Sequence, residues 1–177
     1  MRKRSAFLIF VLMIPESVAG AIFSQNRTQI LLIQRRDVPV WVLPGGGIDP
    51  SETPEQAIVR EILEETGFRV KIVRCAGVYT PINRLARFTL LYECAIIDGK
   101  AILSEETRGV RFFSLETLPP MPPPYLDWIQ DALPNHQPTV HKNLDTITYA
   151  TLVKLFFLHP LLILRFILSR LGFPINT

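Results

Sequence analysis

Residues 46–68 read GGIDPSETPEQAIVREILEETGF, and this stretch decides how the rest of the chain is understood. Thr53-Pro54-Glu55-Gln56 is a compact helix start: a threonine cap, proline at the first helical position and glutamine three residues after the cap. Gly67 supplies the stop. Inside the predicted helix, Ile58, Val59, Ile62 and Leu63 share one side, while Glu61, Glu64 and Glu65 fall within roughly 100° of one another on another side. Like charges at Glu61 and Glu65 are i,i+4 neighbours, which costs about 0.2–0.5 kcal/mol. Glu64 and Glu65 also sit in the last turn, where the helix dipole disfavours anions. Local rules therefore oppose these acids, and a hard divalent cation reverses the sign. The bland alternative, a solvated acidic face, is the better reading for an isolated EILEE string; the surrounding register argues against it.

That register is Gly46, five residues, Glu52, seven residues, then Arg60-Glu61-Ile62-Leu63-Glu64-Glu65-Thr66-Gly67-Phe68. It resembles the Nudix box, G-x5-E-x7-R-E-U-x-E-E-x-G-U with U apolar, at every fixed position. Trp41 and Pro44-Gly45 before it, and Phe112-Phe113-Ser114-Leu115 with Leu118-Pro119 after it, are similar to the family's flanks. The resemblance runs from about Ser17 to Leu133 and is of the MutT and ADP-ribose-pyrophosphatase kind.

The resemblance implies an α/β Nudix fold, a mixed β-sheet sandwiched between helices, and hydrolysis of a nucleoside diphosphate linked to another moiety. It implies Mg²⁺, with Mn²⁺ as substitute, held by Glu61, Glu64 and Glu65, with Glu52 as a nearby helper that can supply a further carboxylate to the metal. Arg60 would orient the glutamates, and Gly46, Gly47 and Gly67 would shape the loop and the helix end. A diphosphate resists hydroxide because its oxygens are anionic, and metal ions offset that charge and align the attack. Glu64 or Glu61 is the expected base. Glu106, in the loop before the Val110–Phe113 strand, is a third catalytic candidate, since its spacing resembles a loop that often adds a carboxylate. Gly109 stands where many relatives have an acid. Arg35, Arg36, Arg84 and Arg87 are candidates for phosphate, by the bidentate mode open to arginine, against the alternative of solvated surface cations.

The other segments read as strands at Ala6–Ile14, Ser17–Ser24, Gln29–Arg36, Arg69–Tyr79 and Phe88–Ile97, with a hairpin turn at 25–28 and a second helix at Pro124–Leu133. The basic start and Ala6–Ile14 imitate a signal peptide, but a buried strand is the preferred reading. Expected domains are a Nudix unit over 1–133, including the strand at 5–14, a polar linker over 134–147, and an apolar, basic helix over 148–177.

Two cysteines, Cys75 and Cys94, are too few for a disulfide framework. The net charge of +3 concentrates at the two ends, and no basic stripe with interleaved aromatics crosses the middle, which argues against a nucleic-acid partner. Mean hydropathy is +0.24, and the tail accounts for the excess. Its charge-free run Leu155–Leu164 falls short of the ~20 residues a span needs. It fits a helix lying on a membrane, or one docked on its own domain or on a second copy. The expected location is cytoplasmic, with peripheral contact at the inner face of a membrane open. Two further functions stay in view: a membrane-associated regulator that binds a nucleotide without turnover, and a hydrolase of a lipid-linked diphosphate.

Overall fold

A computed structural model describes residues 14–135 and 138–170. Among the described residues seven strands form a four-stranded sheet, β1-β5-β4-β7, and a three-stranded sheet, β3-β2-β6. The first holds β1 (Ser17–Ile22), β5 (Thr89–Gly99), β4 (Phe68–Pro81) and β7 (Val140–Leu144). It is mixed: β1 runs parallel to β5, β5 antiparallel to β4, and β4 parallel to β7. The second holds β3 (Trp41–Val42), β2 (Gln29–Arg35) and β6 (Thr107–Ser114), all antiparallel.

Alternation along the strands makes two cores. Val18, Ile22 and Leu31 pack with Ile58 and Ile62 of helix α1 (Pro54–Thr66). Ala19, Ala21, Ile30 and Leu32 pack with Trp128 and Ile129 of helix α2 (Tyr125–Ala132). The sheets lie between these helices, as the α/β sandwich expectation has it. Gly20 on β1 lets α1 pack close, since a Cβ there would reach Ile62 Cδ1 at 2.8 Å and that side chain would have to shift. The end of α2 is fixed by a buried ion cluster: Glu93, 5% exposed, binds both Arg27 and Arg74. Those arginines also donate to the Ala132 carbonyl at 3.2 and 3.0 Å.

Three features depart from the sequence expectations. The turn at 25–28 is present, with an antiparallel Phe23–Ile30 bridge, yet β1 and β2 then part into different sheets, so they are not a simple hairpin. The linker expected over 134–147 contains β7, which extends the sheet beyond residue 133 by pairing Gly77–Pro81. The tail is two helices, α3 (Tyr149–Leu158) and α4 (Pro160–Arg170), because Pro160 cannot continue a helix from His159. The expected strand over 5–14 lies outside the described residues but for Ile14, which is in no strand.

Candidate active site

Helix α1 is built as its sequence specifies. Thr53 Oγ1 accepts from Gln56 N–H at 3.3 Å, and the Gln56 side chain accepts from Thr53 N–H at 2.8 Å, a complete capping box. Gly67 ends the helix at φ 77°, where a Cβ would meet the Lys100 carbonyl at 2.6 Å. The carboxylate face looks towards the loop at Gly45–Gly47, which β1 holds through hydrogen bonds from Val18 N–H to Gly46 O and from Gly20 N–H to Pro44 O.

Arg60 organises the acids. Its guanidinium donates to Glu52 at 2.5 and 3.1 Å, to Glu61 at 3.0 Å, to Glu64 at 3.1 Å and to the Gly47 carbonyl at 3.2 Å. The Glu52 carboxyl is held below its ordinary range, chiefly by that pairing. Glu61 goes the other way: burial raises it, Arg60 opposes, and the charges of Glu64 and Glu106 add to the rise. Glu65 is 6% exposed and is pushed up to about 8 by burial; the Gly45 N–H bond at 2.8 Å opposes this, and the charges of Glu61 and Glu106 reinforce it.

The glycines divide by role. A Cβ on Gly46 would fall inside the Glu61 carboxylate, so this glycine makes room for that acid. Gly45 carries the positive φ of 146° and lies against the Val18 carbonyl. Gly47 has space for a side chain, with only Arg87 Nη1 near at 3.6 Å; it serves through its carbonyl, on Arg60.

Of the arginines, Arg35 and Arg87 line the cleft that contains these acids. Arg35 is clamped by Asp37 in two hydrogen bonds of 2.8 and 2.5 Å. Arg36 is not among the lining residues; its Nε donates to the Ser104 carbonyl at 3.1 Å and its N–H to the Glu106 carbonyl, which fixes the loop that carries Glu106. Arg84 is exposed and outside the cleft lining. Glu106 does line it, beside Glu61, Glu64 and Glu65. At position 109 glycine is needed, since a Cβ would meet the Trp41 ring at 2.9 Å. Residues the sequence did not point to also reach the site: Thr107 Oγ1 donates to the Glu65 carbonyl at 2.9 Å, and α3 and α4 line the far side of the cleft, whose volume is about 1260 Å³.

The donor set suits a hard cation. Glu61 and Glu64 already place an oxygen each about 3 Å from one nitrogen of Arg60, and Glu65 and Glu106 raise the cost of negative charge in the same space. Among the described residues no three acids meet as a finished cage, and Arg60 lies among them.

The family model of the NUDIX domain matches residues 14–134. The chain belongs to the NUDIX family, and with it to the hydrolases that act on acid anhydrides. It is 44% identical over 102 residues to a Bacillus subtilis (strain 168) protein named "Putative 8-oxo-dGTP diphosphatase", covering 57% of this chain and 68% of that one. It is 36% identical over 109 residues to an ADP-ribose pyrophosphatase of Methanocaldococcus jannaschii, covering 58% and 63%. The fold is similar to the crystal structure of an ADP-ribose pyrophosphatase from Streptococcus suis 89-1591, with a TM-score of 0.62, 27% identity, and coverage of 72% of this chain and 98% of that one.

Proposed function

We propose that this chain hydrolyses the diphosphate bond of a nucleotide-linked substrate with Mg²⁺, or Mn²⁺ in its place, held by Glu61, Glu64 and Glu65. The observation that carries this reading is the gathering of Glu61, Glu64, Glu65 and Glu106 along one cleft, with Glu65 buried and anchored on a backbone N–H. When bound, the ion would offset phosphate charge and acidify a water. The protein's own part is positioning. Gly45 N–H aims Glu65, the space at Gly46 lets Glu61 lie against the loop, and Arg60 keeps Glu52 and Glu61 from turning to solvent. Glu64 is the candidate base: its side chain is 58% exposed and holds one bond, to Arg60, so it can swing to a water. Glu52 stays committed to Arg60 and is a helper rather than a ligand. Arg87 and Arg35 are placed to receive phosphate oxygens.

The test is a panel of diphosphates led by 8-oxo-dGTP and ADP-ribose, which the names of the relatives suggest, assayed with chelator, Mg²⁺ or Mn²⁺. We expect metal-dependent release of a monophosphate from at least one compound, and a fall of about 10²–10⁴-fold in kcat for Glu64→Gln. A chelated enzyme as active as the metal-loaded one would end the proposal.

A further inference from the structure

The cleft does not stop at the acids. Helices α3 and α4 cross it as a strap, tied at both rims. At one rim Asn83 Nδ2, in the β4–β5 connection that also carries Arg87, donates to the Ile147 carbonyl at 2.6 Å just before α3. At the other rim Arg165 of α4 donates from Nε to the Asp37 carbonyl at 2.9 Å and from Nη2 to the Arg36 carbonyl at 3.4 Å. The loop bearing Glu106 is fixed through Arg36, so the second anchor stands beside the acids.

Under this strap the lining changes character. Leu152, Leu155, Leu162 and Phe166 line the cleft together with Met121 and with Ile147 at the foot of α3. These helices are not packed down: no residue of α3 is buried, and Ile163 is the buried residue described on α4. A helix pair held by hydrogen bonds at its ends, with leucines half-buried over open volume, leaves an apolar groove that is continuous with the carboxylate cluster. Thr148, Thr151 and His159 are the polar residues the strap adds to the lining; its leucines and Phe166 offer a ribose hydroxyl or a charged second sugar no partner, whereas a hydrocarbon needs none.

We propose that the moiety attached to the diphosphate in this enzyme's substrate is a hydrocarbon chain, which lies under the α3–α4 strap while its diphosphate meets Glu61, Glu64, Glu65 and Arg87. The inference rests on the metal-dependent diphosphate-hydrolase reading above and puts a hydrocarbon in place of the nucleotide as the group the diphosphate carries. In the reaction the oxygen of water bonds to one phosphorus, the bridging P–O bond breaks, and the water's protons pass to the base and the released phosphate. From an alkyl diphosphate the products are an alkyl monophosphate and orthophosphate.

The experiment uses the full chain with Mg²⁺ and a series of n-alkyl diphosphates from butyl to hexadecyl, below their micelle concentrations, with ADP-ribose and 8-oxo-dGTP alongside. The groove predicts that kcat/KM climbs by about threefold to fourfold per methylene until the tail fills the space, then levels. Leu155→Gln and Phe166→Gln should each flatten that climb; the ratio of long-chain to short-chain kcat/KM within one preparation is independent of how much of it is folded. A flat series alongside turnover of either nucleotide would overturn the hydrocarbon assignment and leave the hydrolase standing. A climb seen only when vesicles are added would also overturn it, since partitioning into lipid would then explain the slope. No turnover of any compound would remove the hydrolase reading and this one with it.

Discussion

Glu65 shows what a single buried acid costs. Its carboxyl is raised to about 8, first by burial and then by Glu61 and Glu106, against the opposing Gly45 N–H and Arg35. An unfolded glutamate titrates near 4.3. The folded state therefore prefers the protonated form, and the associated stability is complete below that value and lost as pH rises towards 8. Burial of Glu61 adds in the same sense. In chelator, the melting temperature of the wild type should fall between pH 5 and pH 8, while Glu65→Gln, which can still accept from Gly45 N–H, should fall much less. Parallel curves for the two proteins would refute this account. The glycines give a second residue-scale test. Gly46→Ala should lower kcat/KM by about 10–100-fold through displacement of Glu61, and Gly47→Ala by clearly less, because its Cβ has room; equal losses in steady-state assays would contradict the division. That Glu61, Glu64 and Glu65 share one face of α1 could be read from their spacing. The register fixes Gly46 and leaves Gly47 among its free positions, but the physical reason, the Glu61 carboxylate across the gap, shows only in the fold. The same holds for Arg36, which reads like Arg35 in sequence and in the fold ties down Ser104 and Glu106 instead of facing the cleft.

Elements differ in legibility for a similar reason. Helix α1 was legible to its ends because its cap, proline and glycine act within the segment. The parting of β1 and β2 was not, because hydrophobic alternation says which side chains are buried but not which sheet a strand joins. Strand β7 was missed because it lies at a sheet edge and shows water a polar face: His141, Lys142 and Asn143 are exposed, and Leu144 is its buried residue. Edge strands need no apolar alternation. Its contribution is nonetheless material, through Leu144 in the α2-side core and the Lys142–Asp131 pair. A chain ended after Leu133 should lose about 2–5 kcal/mol for Leu144 alone, roughly 5–15 °C in melting temperature, relative to one ended after Thr146. Coincident calorimetric transitions for the two would show that the sheet does not depend on β7 and that the boundary at 133 is sound.

For the whole molecule the question is what the outer side of the strap meets. Its inner side lines the cleft, but Val153, Phe157, Leu158 and Leu161 are each more than half exposed, with Phe157 at 77%. Arg165 turns inward to the Asp37 and Arg36 carbonyls, and Lys154 is the exposed cation described on α3. Among the described residues no helix is long and apolar enough to cross a membrane; a lipid surface would meet these side chains by shallow contact. Attraction by Lys154 is worth about 1 kcal/mol, near fivefold in partitioning, so along the described strap apolar insertion supplies most of any contact. The full chain should therefore sediment with neutral phospholipid vesicles and stay in the supernatant once truncated after Thr146. Phe157→Ser with Leu161→Ser should weaken sedimentation while leaving the Asn83 and Arg165 anchors in place. A steep dependence on anionic lipid would mean that basic groups elsewhere in the chain drive contact, and equal partitioning of full and truncated chains would assign the exposed face to something other than lipid.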